Sequence, residues 1–168
     1  TQPVGGLVQP LAAGGLAENP ETKRRLKNLM DVTGITTDLE MQSSQPATMT
    51  DLLRIHTKEY LEKFKALSEV DGGLLGLRTP FARDGFEIAA LSSGLAISAI
   101  KDVLKGKYKN SYSLSRPPGH HCLPDYPNGF CLLANIAIAI DSAISENLGK
   151  KFCVIDWDVH HGNGTEAI

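Results

Sequence analysis

Apolar positions along this chain change period several times, and each change marks an element. Leu26, Leu29 and Met30 recur three and four apart, which predicts an amphipathic helix. Asn19-Pro20-Glu21 opens it, with Asn as cap, Pro at the first helical position and Glu against the dipole, and Gly34 closes it. Thr50-Asp51 starts a second helical region whose apolar set is Leu52, Leu53, Ile55, Tyr60, Leu61 and Phe64. A third helix runs from Asp84 to Lys105 and stops at Gly106. The run from Phe130 to Asn147 is apolar enough for a buried helix ending at Gly149. Two short runs on either side of it, Ser111 to Leu114 and Phe152-Cys153-Val154-Ile155, read as strands, which together give a parallel βαβ unit. Asp71-Gly72-Gly73, Gly76 and Pro80 break every period between Val70 and Arg83, so that stretch reads as irregular loop. The Gly-, Pro- and Ala-rich start, up to about Leu16, reads the same way. With no internal repeat and no linker, the expectation is one α/β domain: a parallel sheet flanked by helices behind an N-terminal helical layer.

Composition narrows this picture in three places. The net charge of -2 and the absence of a basic run predict no direct nucleic-acid contact. The longest apolar stretch, Cys131 to Ile140, is interrupted by Asn135 and is too short for a bilayer, so no membrane role is expected. No basic-then-apolar leader opens the chain, although it starts at Thr1 and a leader removed upstream would leave no trace. Cys122, Cys131 and Cys153 have no Cys-x-x-Cys spacing, which argues against a disulfide framework or a thiolate zinc ribbon and for buried thiols in a reducing cytoplasm.

The histidines carry the chemistry. Four of five fall in two adjacent pairs, His120-His121 and His160-His161, each just beyond an expected strand. Ligands of open parallel sheets bind at that carboxyl edge. In extended chain, residues two apart point the same way, so Asp156, Asp158 and His160 can converge. A carboxylate and an imidazole so spaced suit a divalent metal such as zinc, which as a catalytic ion takes three protein ligands and keeps one position open. Asp156 could be the third ligand or an acceptor that orients an imidazole. A lone Asp-x-His means little, and His56, alone on an amphipathic helix, reads as a packed or solvated histidine. Gly162-Asn163-Gly164-Thr165 could be a phosphate loop, but it lacks the third glycine of a dinucleotide fingerprint and a P-loop lysine. A Cys122 nucleophile beside His121 would leave the second cluster unexplained.

Arg116-Pro117-Pro118-Gly119-His120-His121, then Gly129-Phe130-Cys131, then Asp156-Trp157-Asp158-Val159-His160-His161-Gly162-Asn163-Gly164-Thr165, together resemble the zinc-dependent histone deacetylase family, which includes acetylpolyamine amidohydrolases. Asn19 to Arg25 and His56-Thr57-Lys58-Glu59-Tyr60-Leu61 look like its N-terminal motifs, so the likeness runs from about residue 16 to the end. The resemblance implies an arginase/deacetylase-like α/β fold and hydrolysis of an acetamide in an acetylated protein or an acetylpolyamine. It implies zinc on Asp158 and His160, His121 as general base, His120 as its proton-handling neighbour and Asp156 as the residue orienting His120. Asn163 stands where many relatives have an aspartate supporting the second histidine, and it cannot supply that negative charge; the form looks class II-like. Gly129 and Phe130 would line an acyl-lysine tunnel, and Asp156, Asp158 and His160 would surround a potassium ion. The family's third zinc ligand and its transition-state tyrosine lie beyond Ile168, so residues 1–168 are expected to be the N-terminal part of a single deacetylase domain, inactive alone. Two rival readings follow: a truncated or inactive binding module, and a binuclear manganese hydrolase of the same fold. The latter tends to show Asp-x-His-x-Asp where this chain has Asp156-x-Asp158-x-His160.

Overall fold

The computed structural model describes residues 17–168, in two units that meet at residues 39 and 40. The loop expected before Leu16 lies outside the described residues. The first unit holds α1 (Pro20–Val32) and a 3-10 turn (Ile35–Asp38). The start of α1 is as its sequence requires: the Asn19 side chain accepts the Glu21 N–H at 3.0 Å, and Pro20 occupies the first turn. Glu21 pairs with Arg24 and Lys27 with Asp31 along one face. Thr33 caps the other end, and Gly34 takes the left-handed conformation, φ +79°.

The second unit contains α2 (Met49–Leu52), α3 (Lys58–Ser68), β1 (Gly73–Leu74), β2 (Pro80–Phe81), α4 (Gly85–Leu104), α5 (Asn135–Ser145) and α6 (Asn163–Ala167). Its core lies where α4 packs along α5 and α3 closes over them, with Leu52, Leu61, Phe64, Leu133 and Ile138 fully buried. Phe64 meets Phe86 edge-on at 5.2 Å and Phe81 at 4.8 Å, a geometry that aromatic quadrupoles favour. The single helical region expected from Thr50 is two helices. Thr48 and Asp51 form a capping box for α2, and Thr57 accepts the Tyr60 N–H to start α3. The expected loop between Val70 and Arg83 contains a two-residue antiparallel ladder, Gly73 opposite Phe81 and Leu74 opposite Pro80.

The two expected strands are corrected. Among the described residues the sheet is β1–β2, and neither Ser111 to Leu114 nor Phe152 to Ile155 is a strand. Both segments line one open cavity of about 390 Å³ with Ala96, Ile100, Ala139 and Ile140 of α4 and α5. A strand gains its hydrogen bonds from a neighbour, so apolar run length alone does not create one. Ile155, which a covered strand would hide, is 78% exposed. The helix between the segments is shorter than its apolar run: it begins at Asn135, because Phe130 closes a turn, Cys131 bridges to Asn128 and the chain bends at 132 and 133.

Candidate active site

Both histidine-bearing loops belong to the second unit and are stitched together through main chain. The His120 carbonyl accepts the Gly164 N–H at 2.9 Å and the Thr165 N–H at 3.1 Å. That close approach needs glycine at 164, because a Cβ there would stand 2.4 Å from the Cys122 carbonyl oxygen. The Arg116-Pro117-Pro118-Gly119 loop is anchored from beneath. The Asn135 amide and the Ser92 hydroxyl both donate to the Pro117 carbonyl at 3.0 Å, and Ser93 donates to Asn135 at 2.7 Å. Asn135 interrupts the apolar run in the sequence, and its partners explain why a buried amide is tolerated there.

The side chains then fall into hydrogen-bonded couples. His120 Nδ1 lies 2.9 Å from Asp156 Oδ2, and His121 Nδ1 lies 2.7 Å from Asn163 Oδ1. A carboxylate or amide oxygen only accepts, so both rings carry a proton on Nδ1, and Nε2 is the ring nitrogen left outside these bonds. The rings stand 4.1 Å apart, with His160 6.1 Å from His121. Asp156 also accepts the Asp158 N–H at 3.1 Å. Its carboxyl is held below the usual range first by the His120 hydrogen bond and then by that amide. Asp158 Oδ1 accepts the His160 N–H at 2.8 Å and lies 2.9 Å from His160 Nδ1; the amide first and the ring second keep it ionised.

Expected pairing and observed pairing differ at one residue. His161 turns to Glu166, 2.6 Å away, and does not join the site with its neighbour His160. No sequence signal marked Glu166, whose position one turn into α6 makes the contact. Gly129 is brought to the site: it has φ +53°, and a Cβ there would stand 2.4 Å from His121 Cδ2. Phe130 follows with φ +66° and its N–H on the Arg78 carbonyl at 2.9 Å. Gly162 packs on the carboxylate, a Cβ there lying 2.5 Å from Asp156 Oδ2. Cys122 and Cys131 are buried and burial raises the Cys122 thiol, which disfavours a thiolate nucleophile; Cys153 is exposed.

Asp158 and His160 bring a carboxylate oxygen and an imidazole nitrogen, the donor types a zinc ion takes, within 2.9 Å of each other in a mutual hydrogen bond. A catalytic zinc takes three, and among the described residues no group of three His, Cys, Asp or Glu side chains is gathered around one point. The donors therefore match the metal in kind and fall short in number. Among the described residues no helix is long and apolar enough to cross a membrane.

Comparison with solved structures places the fold. A crystal structure of the HDA15 HD domain matches with a TM-score of 0.86 at 30% identity, over 92% of this chain and 44% of that one. The architecture is thus the α/β arginase/deacetylase fold, here with a small sheet. Residues 16–168 match the histone deacetylase domain, and the chain belongs to that family. A histone deacetylase-like amidohydrolase of Pseudomonas aeruginosa is 59% identical over all 168 residues, which are 44% of that protein. A probable deacetylase of Methanothermobacter thermautotrophicus is 41% identical over 78% of this chain and 40% of its own length. Histone deacetylase HDA1 of Saccharomyces cerevisiae is 38% identical over 71% of this chain and 18% of its own. The chain spans less than half the length of each.

Proposed function

We propose that the full-length protein is a zinc-dependent amidohydrolase that removes an acetyl group from an amine, either acetyl-lysine in a protein or an acetylpolyamine. The observation that carries this is the His121 couple: with Nδ1 bonded to Asn163 at 2.7 Å, Nε2 is left free to take a proton. His120, fixed by Asp156, is the neighbouring group that shares proton handling and steadies developing charge. Asp158 and His160 would hold the zinc together with a third ligand outside the described residues. When bound, zinc supplies Lewis acidity to the acyl carbonyl and acidifies a water. Nε2 of His121 would take a proton from a water whose oxygen adds to the acyl carbon, and a protonated imidazole would return one to the amine as the C–N bond breaks, giving acetate and amine.

The same reading assigns Gly129 and Phe130 to the wall of the acyl-chain site and gives potassium to the main-chain carbonyls around Asp156, Asp158 and His160, with the Asp156 side chain. Residues 1–168 are proposed as the N-terminal part of one deacetylase domain, which accords with the share of the relatives they span. A cytoplasmic location fits cysteines such as Cys122 and Cys153 that form no disulfide.

Hydrolysis of an acetyl-lysine peptide by the full-length, metal-loaded protein, with and without a zinc chelator, tests the proposal. Chelator-sensitive turnover is expected, and His121→Ala lowers kcat by about 10²- to 10⁴-fold without loss of fold. Residues 1–168 alone turn over negligibly. A folded, zinc-loaded protein inert on acetyl-lysine peptides and acetylpolyamines would sink the enzyme reading and leave a binding module. Two manganese ions per chain would select the binuclear hydrolase instead.

A further inference from the structure

His56 lies far from the site in sequence, and its surroundings connect it to His121. It sits in the turn between α2 and α3 and is 3% exposed. Its Nδ1 is 3.1 Å from the Pro124 carbonyl oxygen, which only accepts, so Nδ1 carries the proton. Nε2 is therefore bare, and it accepts the Ala134 N–H at 3.0 Å. The adjoining Thr57 N–H also donates to Pro124, at 3.1 Å, and the Tyr60 hydroxyl donates to the Leu132 carbonyl at 2.6 Å. One short segment of sequence thus fastens both ends of the loop from Pro124 to Ala134. Inside that loop is Gly129, on which the His121 ring rests, its own N–H tied to the Leu77 carbonyl at 2.9 Å.

We propose that His56 is a positioning residue for His121: by joining Pro124 to Ala134 it holds Gly129 behind the imidazole and keeps His121 Nδ1 on Asn163. Only the neutral Nδ1–H ring can do this, because a second proton would face the Ala134 N–H donor with another donor. Burial pushes His56 down to about 4, so the ring is neutral at neutral pH. No other neutral side chain of this size offers a donor and an acceptor on opposite edges of one rigid ring.

The test combines histidine nitrogen NMR with kinetics on the full-length, metal-loaded protein; only the kinetic arm rests on the deacetylase reading. In the wild type, the His56 signal should report a protonated Nδ1 and a bare Nε2, unchanged between about pH 6 and pH 8. In folded His56→Phe, the His121 Nδ1–H signal should move, and kcat should fall about 10- to 100-fold with KM within about threefold. His56→Gln returns an acceptor toward Ala134 and His56→Asn a donor toward Pro124, and each should recover part of kcat. A His56 protonated on Nε2, or an unmoved His121 signal with kcat within about twofold of wild type, would overturn the proposal. Should His56→Phe not fold, the wild-type tautomer and the Gln and Asn variants decide it. A wild type that hydrolyses no acetyl amide counts against the deacetylase reading alone, because the His121 signal still reads the positioning.

Discussion

The two histidine-bearing loops are held in different ways. His120 and His121 stand on a loop that reaches into buried scaffold at Asn135, Ser92 and, through Gly129, the His56 clamp, and the His120 side chain is only 15% exposed. Asp158 and His160 bond mainly to each other and to main chain two residues away, and the His160 side chain is 73% exposed. On the roles proposed above, the proton-handling groups would come preorganised by residues within this chain, whereas the metal donors would depend on whatever completes their shell. The difference matches the two tasks. A general base acts within tenths of an ångström and needs a stiff support, while a metal organises its own ligands once a sufficient set is present.

Acid should break the stiff side first. His56 is held at about 4 in the folded chain against 6.5 for a free imidazole, so the unfolded chain binds the extra proton. Stability is then full above 6.5 and falls as the pH drops from 6.5 toward 4, by ~3 kcal/mol across the window. Urea denaturation at several pH values checks this, and the slope in that window should flatten in His56→Phe. Gly129→Ala comes next. Its Cβ would stand 2.4 Å from His121 Cδ2 at a φ of +53°, and a displaced ring should cost about 10²-fold in kcat, read by steady-state kinetics. Asn163→Asp should have the smallest effect: a carboxylate on His121 Nδ1 favours the protonated ring, which moves the low-pH limb of the kcat/KM profile toward higher pH. A limb that stays in place would mean that His121 is not the base.

What the sequence discloses is largely what is local. The caps of α1 and the span of α4 depend on residues a few positions apart, and they stand as their spacing predicts. The strands do not, because a ladder needs a partner that no local pattern names, and Ser111 to Leu114 and Phe152 to Ile155 face a cavity instead. The contacts of His56 were equally opaque: its partners Pro124 and Ala134 are 68 and 78 residues away, and the motif that His56 opens names neither of them. The split of His160 from His161 was hidden for the converse reason, since adjacency in sequence says nothing of which way each ring turns.

The glycines around the site also bear on how this protein could be varied. Gly129 touches an imidazole, Gly162 a carboxylate and Gly164 a main-chain carbonyl, each leaving less room than one methyl group requires. A mutant library aimed at new acyl specificity should therefore hold these three positions fixed and draw its diversity from solvent-facing loop residues such as Asp125 and Tyr126.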